Sequence, residues 1–390
     1  GLALVDTLTA WSGFGQGVIL VLIQLGGLGF MTIITLFSLA LHRRINLSER
    51  LVMVSTLNLN DMDGVVRLVR NALKTTFAVE GICAVILSLR FIPRYGLGQG
   101  LWKGVFISVS ALCNAGFDLM GPEGGGSLSS FRGDPVVLLT VMFLIVFGGL
   151  GFFVWEDLRR ARRWKGLRLY SKLVLGMSGG LILAGAVYFL CAEFANPATL
   201  GPLPVWQKVL NSLFQSVTLR TAGFATIDQG GLYDSSIALS CLLMLIGGSS
   251  GSTAGGLKTV TIAVLLLSLR AGLRGRSEVT VRRRAVPTQR VLNALTLTLV
   301  VLVLFFAGSM TISLADRVPF LQAAFESASA IGTVGLTTGI TAGLSPFSHV
   351  LLICLMYLGR VGILSFSIAF LTAGRYPARI QYPTVDVMIG

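Results

Sequence analysis

Long stretches without a single charge constrain this chain more than any other feature. No Asp, Glu, Lys or Arg occurs between Asp6 and Arg43, Asp134 and Glu156, Lys172 and Glu193, Asp234 and Lys258, Arg290 and Asp316, or Glu326 and Arg360. Roughly 20 apolar helical residues cross a bilayer core of about 30 Å, so each run is long enough to span one. Residues 72–91, interrupted by Glu80, form a weaker seventh candidate. With 54% hydrophobic and 12% charged residues among 390, the chain reads as a multi-pass integral membrane protein, not as two or three soluble domains. Gly1 is not Met and no basic segment precedes the first apolar run, so the start does not read as a signal peptide. One spanning helix and the front of a first turn are expected upstream of it.

Between these runs a short polar turn recurs. Ser216 to Asp228 contains Thr221-Ala222-Gly223-Phe224; Ser110 to Asp118 contains Asn114-Ala115-Gly116-Phe117; Ser329 to Thr338 contains Thr333-Val334-Gly335. Gly1 to Asp6 reads as the tail of a fourth copy. The glycines at 1, 116, 223 and 335 lie 115, 107 and 112 positions apart. A second motif follows each turn: Gly26-Gly27-Leu28-Gly29, Gly148-Gly149-Leu150-Gly151, then the weaker Gly247-Gly248-Ser249 and Gly359-Arg360-Val361-Gly362. Two motifs in register define four tandem repeats, with expected boundaries at residues 1–50, 51–158, 159–284 and 285–390. Short apolar runs at 102–108, 206–214 and 320–325 precede the complete turns and suit half-length pore helices. The expected flanking helices are 7–41, 72–91, 135–155, 170–192, 291–315 and 347–373.

The net charge of +14 could suggest nucleic acid, but its placement argues for topology. Of 31 Lys and Arg, 22 fall in the connections between repeats and at the C-terminus, among them the clusters Arg159–Arg168 and Arg270–Arg284. By the positive-inside rule those connections are cytoplasmic, facing lipid headgroups or a partner protein. The five cysteines sit singly in apolar segments and read as small buried hydrophobes.

Irregular backbone at membrane depth is tolerated only when buried in protein or lining a water-filled path, so four such turns imply a pore. Glycine frees the backbone to point consecutive carbonyls inward, where they replace the water around a cation. Thr333-Val334-Gly335 also matches the opening of the potassium-channel filter. The candidate potassium ligands are therefore the carbonyls of Gly1, of Asn114, Ala115 and Gly116, of Thr221, Ala222 and Gly223, and of Thr333, Val334 and Gly335. The 35 residues from Ser235 to Leu269 would make a helix of about 52 Å, too long for the bilayer, and a break is visible. It comprises Gly247, Gly248, Ser249, Ser250, Gly251, Ser252, Thr253, Ala254, Gly255, Gly256, Leu257 and Lys258. Gly251-x4-Gly256-Leu257-Lys258-Thr259 nearly matches a phosphate-binding loop, but one extra residue displaces Lys258 and no strand precedes it. The break is expected to occlude the pore below the filter, held by hydrogen bonds from Arg360, an ionisable group whose depth marks it as functional. Arg220, Glu326 and Glu80 read as braces for pore helices or as functional groups.

Those residues carry a specific resemblance. The four repeats, Thr221-Ala222-Gly223-Phe224, the Gly251–Lys258 break and Gly359-Arg360-Val361-Gly362 together resemble the Trk/Ktr/HKT superfamily of potassium transporters over the whole chain. Gly359 to Gly362 and the ending Met388-Ile389-Gly390 are most similar to membrane subunits of the bacterial Ktr system; a Trk-type subunit is the other option within the superfamily. The resemblance implies an all-α fold and sodium-stimulated potassium uptake across the bacterial inner membrane. It also implies a homodimer, with one pore per protomer, resting on a cytoplasmic ring of nucleotide-binding regulatory subunits. Potassium and sodium are the implied ions, with no organic cofactor on this chain. A secondary transporter with alternating access is a rival class, but inverted repeats need an odd number of crossings, and every inter-repeat connection here is basic. An intramembrane enzyme finds only His42 and His349 and no triad or metal-ligand spacing.

Overall fold

The structure, a computed structural model, describes residues 2–29, 65–121, 126–161, 163–276, 278–281 and 284–361. Short α1 (Thr7–Ala10) precedes α2 (Gly13–Leu28), which starts where Ser12 Oγ accepts from Gly15 N at 3.3 Å. Long α3 (Val65–Tyr95) and buried α4 (Leu97–Leu112) follow, then α5 (Pro135–Leu150) and α6 (Phe152–Ala161). Next come α7 (Leu169–Glu193), α8 (Val205–Thr218), α9 (Asp234–Leu245) and α10 (Thr259–Gly272). A two-residue hairpin, β1 (Thr280–Val281) with β2 (Arg284–Ala285), leads to α11 (Thr288–Asp316), α12 (Phe320–Gly332) and α13 (Pro346–Val361). The order of long helix, short buried helix and apolar helix thus occurs three times.

Burial separates the roles. All ten residues from Ala323 to Gly332 in α12 are buried, whereas only 17% of the most apolar window of α11 is covered by protein. An apolar helix so uncovered has hydrocarbon as its solvent. The short helices α4, α8 and α12 therefore form the inner layer and α3, α7 and α11 the outer one. Polar contacts fix the joints. Asp134 Oδ1 caps α5 by accepting from Val136 N and Val137 N at 3.0 and 3.3 Å, and its other oxygen binds Arg90 of α3 at 2.7 Å.

Several expectations need correction. Among the described residues, three helical segments are long and apolar enough to span: Arg70–Tyr95, Leu169–Glu193 and Thr288–Asp316. The first was the weak candidate, so one carboxyl at Glu80 does not interrupt a helix that propensity and packing otherwise favour. Residues 135–155 are not one helix, because Gly151 at φ +82° ends α5 and the chain bends by 96° into α6. The expected 7–41 helix is divided at Trp11–Ser12 and, within the described residues, ends at Leu28, where Gly29 has φ +80°. The pore helices run further than their apolar cores, through 97–112, 205–218 and 320–332. Cys83, Cys113 and Cys241 are buried, but Cys191 and Cys354 are exposed on apolar outer faces.

Candidate functional site

Each complete turn shares one backbone signature. Asn114 (φ 50°) precedes Gly116 (φ 74°), Thr221 (φ 65°) precedes Gly223 (φ 88°), and Thr333 (φ 53°) precedes Gly335 (φ 98°), always two residues apart. Positive φ at a β-branched threonine is strained, by about 1–3 kcal/mol, and persists only where its surroundings impose it. Buried hydroxyls clasp the turns: Ser110 Oγ donates to Phe117 O and Thr218 Oγ1 to Phe224 O, each at 2.6 Å, while Ser329 Oγ accepts from Gly335 N at 3.0 Å.

The turns meet. A Cβ on Gly116 would lie 2.7 Å from the Ala222 carbonyl oxygen and 2.9 Å from Gly223 Cα; one on Gly223 would collide with the Val334 carbonyl oxygen. Only glycine permits both this φ and this approach. Side chains of the left-handed residues touch as well, with Asn114 Nδ2 donating to Thr221 Oγ1 at 3.4 Å. Gly1 lies outside the described residues, and Leu2 packs on the core formed by α7 to α13.

Behind the Thr333–Gly335 turn stands Glu326, wholly buried in α12. Its Oε1 accepts from Thr337 Oγ1 at 2.7 Å, Thr338 N at 3.0 Å and Thr338 Oγ1 at 3.2 Å, and its Oε2 from Thr341 Oγ1 at 2.7 Å. This is a brace. Arg220, next to Thr221, instead reaches from the turn to the Gly247 carbonyl at 3.2 Å and the Ser178 carbonyl of α7 at 3.5 Å. Glu80 of α3 accepts from Gln24 Nε2 of α2 at 3.1 Å, and its backbone carbonyl accepts from Ser108 Oγ of the α4 pore helix at 2.8 Å.

Immediately beside the turns runs the break between α9 and α10. A Cβ on Gly255 would collide with Thr333 Oγ1, and one on Gly247 would meet the Gly255 carbonyl oxygen and lie 3.3 Å from Thr221 Cγ2. The ends of the loop are stitched together by Gly247 N to Leu257 O at 2.9 Å, Leu257 N to Leu245 O at 3.0 Å and Thr259 N to Gly248 O at 3.0 Å. Inside it, Ser252 Oγ donates to Ser249 O at 2.6 Å and Lys258 Nζ to Ala254 O at 2.8 Å. Part of the backbone that a helix would have paired is thereby satisfied within the protein, as membrane depth requires. Outward anchors complete the set. Thr253 Oγ1 donates to Leu112 O at 3.0 Å, Ser249 N to Gly149 O at 3.0 Å, Phe152 N to Gly251 O at 3.0 Å and Tyr170 OH to Ser250 O at 3.1 Å. Arg360 Nη1 donates to Thr253 O at 2.6 Å, and Nη2 to the Gly26 carbonyl.

The second glycine motif has a packing role. A Cβ on Gly148 would overlap the Leu112 carbonyl, one on Gly27 the Cys113 side chain, and one on Gly359 the Ile331 carbonyl. These glycines seat their helices on the ends of α4 and α12, directly beside the turns. Every described candidate residue therefore lies in one assembly. Sequence reasoning overlooked Tyr170 and the break at Gly151. Nothing local betrays Tyr170, whereas a glycine ending an apolar helix is a recognised stop signal.

Buried half-length helices ending in converging glycine turns, beside an intramembrane loop, define a multi-pass membrane protein with a re-entrant core. The sequence matches the TrkH family of cation transport proteins over residues 1–376. It is 40% identical over 393 residues to the Ktr system potassium uptake protein B of Bacillus subtilis, and 40% identical over 395 residues to the potassium/sodium uptake protein NtpJ of Enterococcus hirae. Both matches take in all of this chain and 86% of the relative. In fold it is similar to the crystal structure of the potassium transporter TrkH from Vibrio parahaemolyticus, with a TM-score of 0.71 over 95% of this chain and 75% of the other at 17% identity. The chain belongs to the TrkH family of cation transport proteins and is a membrane protein.

Proposed function

We propose that this chain conducts potassium into a bacterial cell through the converging turns, with the Gly247–Lys258 loop as gate. The observation that carries the reading is the shared signature of a left-handed residue two positions before a left-handed glycine, in three turns whose backbones touch. The Ala222 and Val334 carbonyls lie where neighbouring turns meet, and carbonyls that line such a meeting point can replace a cation's hydration shell. Potassium is favoured as the ion because the sequence relatives are named for potassium or potassium/sodium uptake.

The filter residues are Gly1, Asn114 to Gly116, Thr221 to Gly223 and Thr333 to Gly335, in four repeats bounded at 1–50, 51–158, 159–284 and 285–390. Transport uses no covalent chemistry and no organic cofactor on this chain. Sodium stimulates the flux. Two copies assemble, each with its own pore, on a cytoplasmic ring of nucleotide-binding subunits; the name of a relative, protein B of a Ktr system, supports only that further subunits take part. The basic residues Arg282 and Arg283 expected to face that ring lie outside the described residues, as do Met388 to Gly390.

Rubidium uptake into liposomes, with competing sodium and with or without the ring subunit, tests the reading. Concentrative or gradient-driven rubidium entry that potassium blocks and sodium does not is expected. Equal permeation of sodium and rubidium would remove the filter assignment.

A further inference from the structure

The chain bends by 96° at Gly151 between α5 and α6, so that, with α5 crossing the bilayer, α6 runs close to the membrane plane. The bend is held fast. Trp155 stacks on Phe147 of α5 with ring centroids 4.1 Å apart and donates from Nε1 to the Phe147 carbonyl at 2.8 Å. Phe152, Val154 and Trp155 are buried in a cluster with Ala72 and Leu73 of α3 and Val174 of α7. Asp157, also buried, accepts from Arg168 N at 2.8 Å and closes the connection to α7.

The rest of this segment is open. Arg159, Arg163, Lys165 and Arg168 are exposed, and Arg160 is exposed but offset by Glu156 at 2.8 Å. Beside them Leu158 and Trp164 are 41% and 54% exposed. Cations beside an exposed leucine on α6, and beside an exposed tryptophan in the connection that follows it, match the requirements of the headgroup layer, where the charges meet phosphate and the apolar groups enter the acyl boundary.

The corner where α5 ends and α6 begins touches the loop. Phe152 N donates to Gly251 O at 3.0 Å, Ser249 Oγ donates to Leu150 O, and Ser249 N donates to Gly149 O at 3.0 Å. Tyr170, at the start of α7 just past the basic connection, holds Ser250 O at 3.1 Å. We propose that anionic phospholipid headgroups bind the Arg159–Arg168 face and, through α6, hold the Ser249–Gly251 segment in its position beneath the turns. Lipid that fixes α6 in the surface plane stabilises the loop where it stands and lowers flux. The control depends on the gate reading above; the lipid surface itself does not.

The test uses the full-length protein in vesicles of phosphatidylcholine alone or with phosphatidylglycerol. Two quantities are read: rubidium flux, and quenching of Trp164 fluorescence by brominated lipid, taken as the difference from Trp164→Phe. Brominated phosphatidylglycerol is expected to quench more than brominated phosphatidylcholine. Phosphatidylglycerol should lower flux about fivefold, a modest share of what several surface cations can contribute. Replacing Arg159, Arg160, Arg163 and Lys165 together with Gln should abolish both differences and leave the potassium-to-sodium ratio unchanged. Equal quenching by the two lipids, or selective quenching without a change in flux, overturns the proposal. If phosphatidylglycerol still lowers flux after the loop is shortened, the lipid acts on a different gate, and the loop reading fails separately.

Discussion

Arg360 Nη1 lies 2.6 Å from the carbonyl oxygen of Thr253, joining the last turn of α13 to the middle of the intramembrane loop. The same guanidinium also donates to Gly26 O in α2, so one residue ties the loop to two helices from opposite ends of the chain. A charge-assisted hydrogen bond contributes about 1.5–3 kcal/mol. Removing it by Arg360→Ala should destabilise the occluding position and raise potassium flux about tenfold or more. The potassium-to-sodium ratio should not change, because the turns keep their own clasps. Arg360→Lys, with one compact donor group in place of a fork, should fall between. Flux measured in liposomes decides; wild-type flux in Arg360→Ala would separate the arginine from gating.

Selectivity should depend on glycine at the crossing point of the turns. Gly223 has φ +88°, and any Cβ there meets the Val334 carbonyl. A left-handed non-glycine residue costs about 1–2 kcal/mol before that collision is counted. Gly223→Ser, or Gly335→Ser at φ +98°, should therefore displace carbonyls and reduce the potassium-to-sodium flux ratio about tenfold. Unchanged ratios in both variants would refute the filter assignment.

These positions were legible before any coordinates because glycine is the one residue that writes backbone conformation into sequence. Gly116, Gly223 and Gly335 stand at even spacing, and the Gly247–Lys258 break shows where an apolar helix cannot continue. Arg360 was legible for another reason, as a lone cation in an apolar run. The bend at Gly151 was not. Gly148-Gly149-Leu150-Gly151 contains three glycines, and only geometry distinguishes Gly148, where a Cβ would overlap the Leu112 carbonyl, from Gly151, which ends the helix at φ +82°. Glu326 was ambiguous because its partners, Thr337, Thr338 and Thr341, lie 11 to 15 residues away across a turn. Tyr170 meets Ser250 over 80 residues of chain, a contact no local pattern encodes.

Glu326 offers a stability prediction distinct from transport. Four hydrogen bonds converge on a wholly buried carboxyl group. Glu326→Ala leaves the Thr338 donors without their acceptor inside protein and should cost about 1–3 kcal/mol, the usual penalty for a buried donor left unsatisfied. Glu326→Gln keeps the shape and one acceptor but turns the other oxygen into a donor, and should cost less. Thermal unfolding in detergent should rank wild type above Gln above Ala. Equal Tm values would mean that the segment after the turn holds itself in place.

The loop's anchors can be loosened one at a time and then together. Thr253 Oγ1 donates to the Leu112 carbonyl, at the end of the α4 pore helix and two residues before Asn114. Thr253→Val keeps the volume and removes this bond, worth about 1 kcal/mol, so flux should rise about fivefold. Deleting Ser249 to Thr253 removes this bond along with those from Tyr170, Arg360 and Gly149, and brings Gly248 next to Ala254. The shortened loop still has Gly247 and Gly255 to lie against Thr221 and Thr333, but it no longer has the residues that tie it to α5, α6 and α7. Flux in the deletion should exceed that of Thr253→Val, with the same ion preference in both. If neither variant conducts faster than wild type, the loop is a packing irregularity and the occlusion lies elsewhere along the pore.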